Sequence, residues 1–360
     1  MTEQTDYTFT YSALSNHVIF GMGRLAEVKS EAERLEGERA MVLSTPHQKE
    51  LAERVAALLG ERCAVIHPYA VQHVPYETIT AALEDVRSHK VDILVAPGGG
   101  STVGLAKGVA LETGLPILAI PTTYAGSEMT HIWGISRDGR KTTGRDPGVK
   151  PKSVIYDPEL VRSLPPSMSL TSGINAMAHA VEALYAENRN PIASMMAEES
   201  IRQLAKGLPA VVADPEDMEA RSASLYGAWL AATVLDMVGM ALHHKLCHTL
   251  GGSFGMPHAR THTVILPYAI AYNHSHIPQA VEQLGRALGC APQDVAGAVQ
   301  DISRSNGGPV SLKELGFKEK DLDKAAEIAN QNKYYNPRPF TQTDLRTVLG
   351  AAFSGERPDS

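Results

Sequence analysis

Ile93-Leu94-Val95-Ala96-Pro97-Gly98-Gly99-Gly100-Ser101 is a short apolar run that breaks into three glycines and a serine. A helical pattern carrying Ala106 and Lys107 follows directly. An apolar run entering a Gly-rich turn and then a helix is the pattern of a buried strand whose end faces a phosphate. Glycines there are expected to take positive φ, so that backbone N–H groups and the helix N-terminus approach a pyrophosphate. Taken alone, the same residues also describe a tight turn. The next run ends in Pro121-Thr122-Thr123-Tyr124-Ala125-Gly126-Ser127-Glu128, which sets hydroxyls and a second Gly-containing loop beside the first. Two such strand ends side by side favour a nucleotide site, with Gly98, Gly99, Gly100, Ser101, Lys107, Thr122, Thr123 and Ser127 as its candidate residues.

Outward from this point, further apolar runs at 40–44, 64–67, 117–120 and 153–156 alternate with amphipathic segments such as 48–59 and 76–89. That alternation predicts a mostly parallel sheet with helices on both faces. Beyond residue 157 the strand-like runs stop, and helical patterns follow one another at 167–186, 191–206, 217–240 and 242–250. Pro158, Pro165 and Pro166 mark the break. The expected organisation is an α/β dinucleotide-binding domain at 1–157 and an all-helical domain at 158–360, with a site in the cleft between them. Residues 355–360 read as a frayed tail.

With 360 residues and a formal net charge of −7, the chain has room for two cores and no electrostatic preference for nucleic acid or an anionic membrane. Cys63, Cys247 and Cys290 show no paired spacing, which suits a reducing compartment. Residues 1–11 are polar where a leader would be apolar, and the most apolar stretch, 225–240, is short and interrupted by Asp236. A cytoplasmic protein is expected.

After the run at 40–44 come Thr45, Pro46, His47 and Gln48, with no carboxylate before Glu50. Thr45 is the candidate ribose neighbour here. Nothing in this segment would repel a 2′-phosphate, so NADPH is expected to serve alongside NADH. In the second half, five of the fourteen histidines (His243, His244, His248, His258 and His262) fall within twenty residues. His244 and His248 share a helix face, as do Asn175 and His179. A single histidine is ordinary. A cluster needs partners or a task, because burying imidazoles is unfavourable.

Together these motifs resemble the iron-type (group III) alcohol dehydrogenases, with their dehydroquinate-synthase-like fold, from end to end. That family carries a GGGSxxDxAK loop, a DxxxH pair and a later HxxxHxxxxxxxxxPH run. The matching segments here are Gly98 to Lys107, Asn175 to His179, and His244, His248 and His258. The resemblance makes Asn175, His179, His244 and His258 the family's metal positions and puts His248 near the nicotinamide. Two residues depart from it: Asn175 stands where the family has Asp, and Gly104 stands for Asp inside the loop. A neutral amide is a weaker cation ligand than a carboxylate. Three imidazoles could still hold zinc.

These departures, with PTTYAGSEMT, GINAMAHAVEALYA, HHKLCHTLGG and the motif at 334–339 that includes Arg338, are similar to the maleylacetate reductase branch. The resemblance implies NAD(P)H-dependent reduction of the conjugated C=C bond of maleylacetate, or its chlorinated analogues, to 3-oxoadipate in aromatic degradation, by a homodimer. Hydride addition to an enone gives a delocalised enolate, for which hydrogen-bond donors can suffice, so no bound metal is expected. On this basis His248, His244, His243 and Tyr124 are the catalytic candidates, with Tyr124 against the nicotinamide. His179, His258, Asn175, Arg260 and Lys245 are candidates for binding the dicarboxylate. Lys141 and Arg145 are further possible cations across the cleft. The alternative is a metal-dependent alcohol or aldehyde oxidoreductase on the same fold.

Overall fold

In the computed structural model, residues 9–11, 15–137, 140–331 and 335–359 are described. Residues 1–8, Tyr334 of the 334–339 motif, and Ser360 lie outside them. The N-terminal half forms one parallel sheet. Its strands are β1 (His17–Phe20), β2 (Ala40–Leu43), β3 (Cys63–His67), β4 (Ile93–Gly98), β5 (Ile117–Pro121) and β8 (Ser153–Tyr156), in the order β1-β8-β5-β4-β2-β3. Between β5 and β8, a separate antiparallel hairpin joins β6 (Ile132–Arg137) to β7 (Arg140–Arg145). The four central strands match the apolar runs because both faces are covered, so every residue of β2, β4, β5 and β8 is buried.

Successive side chains of these strands feed two cores. Val42, Ile93, Val95, Leu118, Ile120 and Ile155 face a layer containing Val28 and Val55, from α1 (Val28–Arg34) and α2 (Lys49–Leu59). Met41, Leu94, Ala96, Ala119, Val154 and Tyr156 face the other way. There they meet α3 (Tyr76–His89) and α4 (Gly100–Thr113), and the same cluster runs on into α5 (Pro166–Ala183), α6 (Pro191–Ala213) and α7 (Met218–Met237). A third core draws together α8 (Leu242–Phe254), α9 (His258–Asn273), α12 (Leu322–Asn330) and α13 (Gln342–Ser354). The helices α10 (Pro278–Leu288) and α11 (Val295–Arg304) lie between α9 and α12 in the chain. The architecture is an α/β N-terminal part followed by an all-helical C-terminal part. Among the described residues no single helix is long and apolar enough to cross a membrane.

The chain leaves β2 toward β3 on one side and β4 toward β5 on the other, so the sheet reverses direction between β2 and β4. Their carboxyl ends form the crevice in which open α/β sheets bind ligands. The expected fraying is corrected for residues 355–357, and Ser360 lies outside the described residues. The Glu356 carbonyl accepts from Tyr268 Oη at 2.8 Å, and Arg357 pairs with Asp294 and Asp301 at 2.8 and 2.9 Å.

Two buried polar residues join the halves. Arg221 on α7 is fully buried and donates to the carbonyls of Val161 and Leu164 and to Ser169 Oγ, clamping the proline-marked connection. Asp236, which interrupts the apolar run, accepts from His131 N at 2.9 Å, His131 Nδ1 at 2.5 Å and Lys150 Nζ at 2.8 Å. Burial pushes its carboxyl pKa up, but the Lys150 and His131 hydrogen bonds outweigh that and hold it below the ordinary value. A carboxyl with a depressed folded-state pKa stabilises the fold above its unfolded-state value, and the stabilisation fades as pH falls through the folded-state one. Asp236→Ala is therefore expected to cost about 3 kcal/mol at pH 7. Thermal unfolding should show the gap from wild type narrowing steadily below pH 4.

Candidate active site

The crevice is built as the glycines require, but for a different physical reason. None of Gly98, Gly99 and Gly100 has a positive φ. They are small because of what surrounds them. A Cβ on Gly98 would lie 2.3 Å from Thr102 Oγ1 and 2.9 Å from Gln48 Oε1, and one on Gly99 would lie 3.0 Å from Thr123 Cγ2. Gly99 caps α4, whose first residues, Gly100 and Ser101, open at the crevice with their amides unpaired within the helix. Gln48, missed in the sequence, spans the crevice from the β2 end: its Nε2 donates to Thr122 Oγ1 at 2.8 Å. Thr45 precedes that segment and is half-buried, as are Thr123 and Ser127.

Two expected cofactor contacts are corrected. Lys107 is 1% exposed, and its Nζ donates to Thr130 O, Thr130 Oγ1 and Ile132 O at 2.8, 3.0 and 2.7 Å. All three of its N–H groups are engaged, so it ties α4 to the segment entering β6 and does not reach a phosphate. Burial pushes its pKa down to about 7, with Glu128 and Asp236 acting the other way. Tyr124 is also buried, at 1% exposure, and its hydroxyl lies beside Arg221, Ser169 and Ser224 in the core. Its ring therefore does not line a nicotinamide pocket.

The second loop leads to the histidines. Gly126 takes φ +86°, and a Cβ there would approach His179 Cε1 to 3.8 Å. His179 projects from α5, as does Asn175 one turn earlier. His244, on α8, is the hub of the cluster: its ring centroid lies 5.0 Å from those of His179, His243 and His262 and 6.0 Å from that of His248. His258, at the start of α9, packs on His262 with centroids 4.2 Å apart. His179, His243, His244 and His262 are buried, and His248 and His258 form the exposed rim. Lys245 is half-buried between His244 and His248, and Arg260 is exposed on the first turn of α9.

The cluster is organised by a residue the sequence reading passed over. Glu182, fully buried on α5, accepts from Ala241 N at 2.8 Å, His243 N at 2.7 Å and His244 Nδ1 at 2.7 Å. The signal was present in GINAMAHAVEALYA, where Glu182 sits one turn beyond His179 on the same helix face. Asn336, from the 334–339 motif, accepts from Leu242 N and exchanges hydrogen bonds with Asn273. Arg338 stacks on Tyr272 and donates to its carbonyl, apart from the cluster.

The histidine cluster is not a source of positive charge. Burial drives the pKa values of His179, His244 and His262 well below the ordinary imidazole value and that of His243 down to about 3. These rings are neutral near pH 7, because charging several imidazoles in one dry cluster compounds desolvation with mutual repulsion. His243 is not a substrate cation: its Nε2 faces the His262 carbonyl at 3.0 Å. Arg145 lies with its Nη1 3.4 Å from His131 Nε2, in the Asp236 group, and residue 141 falls within β7.

Several buried atoms have no partner among the described residues: Asn175 Oδ1, His179 Nδ1, His244 Nε2 and both nitrogens of His262. Neutral nitrogen and amide oxygen donors of this kind, with Glu182 behind His244, fit a borderline divalent cation. Asn175, His179, His244 and His258 would hold it, and it would polarise a carbonyl oxygen. They equally fit polar groups of an organic ligand.

The comparisons agree with the geometry. Residues 15–158 match the model of the iron-containing alcohol dehydrogenases, and residues 169–353 match that of the C-terminal part of the same family. The chain belongs to the iron-containing alcohol dehydrogenase family and is an oxidoreductase. Within that family it groups with the maleylacetate reductases. It is 51% identical to the maleylacetate reductase of Delftia acidovorans over 97% of this chain and 99% of that one. The crystal structure of maleylacetate reductase from Agrobacterium tumefaciens superposes with a TM-score of 0.95 at 48% identity, covering 98% and 99% of the two chains. That of the Rhizobium sp. strain MTP-10005 enzyme gives 0.94 at 49% identity, with the same coverage.

Lys107→Met tests the division between crevice and scaffold. It is expected to lower stability by about 2–3 kcal/mol, because two buried carbonyls lose their donor. The KM for NADH should stay within about twofold of wild type. A tenfold rise in that KM at unchanged stability would restore Lys107 to the phosphate site.

Proposed function

We propose that this chain reduces the carbon–carbon double bond of maleylacetate with NADH or NADPH, giving 3-oxoadipate. The observation that carries this is the buried histidine cluster, which is neutral and has an amide, Asn175, at the position expected for an anionic ligand. Full-length similarity to maleylacetate reductases supports it.

A dinucleotide held in the β2–β4 crevice would supply hydride to the carbon β to the ketone, and the electron pair of the C=C bond would move onto the ketone oxygen as an enolate. The α-carbon then takes a proton, so that substrate, NAD(P)H and one proton become 3-oxoadipate and NAD(P)⁺. A delocalised enolate is a weaker base than an alkoxide and can be held by neutral N–H donors in a water-poor pocket. Asn175 is neutral where an Asp would repel the charge. His248 passes the proton, since it alone among the α8 histidines is exposed and can be recharged from water.

The pocket's mouth carries Lys245 and Arg260, which we assign to the substrate carboxylates, with His258 beside them. Thr45, Gln48, Ser101, Thr122, Thr123 and Ser127 contact the dinucleotide with the glycines. The absence of a carboxylate after β2 lets NADPH serve as well as NADH. A divalent cation, if bound, adds Lewis-acid polarisation of the ketone but is not required for turnover. The residues at 1–157 and 158–360 act as nucleotide and catalytic domains of a cytoplasmic homodimer.

The carboxylate behind His244 favours a second activity, metal-dependent reduction of a simple aldehyde, because that arrangement is common behind metal-bound imidazoles. Oxidation of NADH and NADPH by fresh maleylacetate, with and without a chelator, separates the two. Turnover that keeps more than about half its rate after chelation is expected. Activity confined to aldehydes and abolished by chelation would overturn the proposal.

A further inference from the structure

Glu182 holds three donors at 2.7–2.8 Å and is fully buried. Two of these are backbone N–H groups at the start of α8, and the third is His244 Nδ1. Asn336 accepts from the intervening amide, Leu242 N, at 3.4 Å. The first turn of α8, whose amides have no intrahelical partner, is thus fastened by side chains from α5 and from the 334–339 motif. Both oxygens of Glu182 already accept from backbone amides, so its bond to His244 is completed by the proton on Nδ1. A neutral imidazole carries one N–H, which leaves Nε2 as a lone pair. That atom is buried and has no partner among the described residues. The His244 ring lies 5.0 Å, centroid to centroid, from those of His179 and His262, so this buried lone pair belongs to a ring packed among the other histidines.

We propose that Glu182 is a positioning residue that makes His244 an obligate acceptor at Nε2 and thereby confines proton donation on α8 to His248. The assignment rests on the reduction described above for its consequence, but not for its geometry. His244 then receives the donor or electropositive edge of whatever enters the cluster, and His248, one turn further along α8, is left to deliver the proton to the α-carbon. Without the carboxylate, His244 would be free to turn its N–H inward, and the separation of acceptor from donor on this helix would be lost. The three bonds leave Glu182 a single role toward His244.

The test is Glu182→Gln, with Glu182→Asp as the conservative companion. The amide sets its NH2 against a backbone N–H at either oxygen position and removes the anionic acceptor that keeps the His244 proton at Nδ1, which releases the Nε2–H tautomer. Long-range ¹H–¹⁵N spectra of wild-type protein, without substrate, should show His244 protonated at Nδ1. Glu182→Gln should move the proton to Nε2 and lower kcat with maleylacetate about 10- to 100-fold, with the KM for NADH within about twofold. Glu182→Asp should recover part of the rate together with the Nδ1 tautomer. Wild-type His244 protonated at Nε2 would overturn the proposal, and so would a Gln variant with a switched tautomer and unchanged kcat. Should the Gln variant not fold, the wild-type tautomer decides. An Nδ1–H wild type that fails to reduce maleylacetate would sink the proposed activity and leave the role of Glu182 intact.

Discussion

The catalytic half of this protein depends on one buried carboxylate. Glu182 lies at the N-terminal end of α8, where unpaired amides create positive potential, and it satisfies two of them together with His244. Burial pushes its pKa up, and those donors together with His243 act to hold it down. Because Glu182 and His179 share a face of α5, the same contact fixes the distance between the α5 and α8 sides of the pocket. The position of His248 at the rim follows from it, since His248 is one turn further along α8.

Burial then decides the character of the chemistry. Four imidazoles packed out of water cannot all be charged, and the structure holds them neutral. A neutral pocket that contains lone pairs and N–H donors, but no carboxylate aimed at its centre, suits a substrate whose new charge is spread over carbon and oxygen. In the proposed reading, positive charge is left to Lys245, which is half-buried, and Arg260, which is exposed, as partners of the substrate carboxylates. Keeping cations at the entrance and neutral groups inside also avoids stabilising the substrate more than its transition state.

Much of the fold was legible because the four central strands are buried on both faces and so appear as unbroken apolar runs. The hairpin β6–β7 was not, since its strands carry Gly, Arg and Thr without a clear alternation, and the edge strand β1 is only four residues long. The glycine loop was located correctly, yet its reason lay in neighbours distant in sequence, Thr102, Thr123 and Gln48, which only the fold brings close. Lys107 and Tyr124 were misassigned for a related cause: a motif shows position along a helix or loop but not which way the side chain turns. The histidines show the same limit. Their number and spacing marked the site, whereas their charge state depends on burial, which no spacing reveals. Glu182 was readable as an acidic residue inside an apolar helical run, a pattern that calls for a buried partner.

The central claim is that this pocket receives an enolate, so hydride must be added to carbon. The most direct measurement uses nicotinamide deuterated on the transferred face of C4 and locates the label in the product by NMR. The account predicts deuterium on the carbon β to the ketone, with the carbonyl retained. Deuterium on an oxygen-bearing carbon, in a hydroxy acid that keeps its double bond, would contradict it.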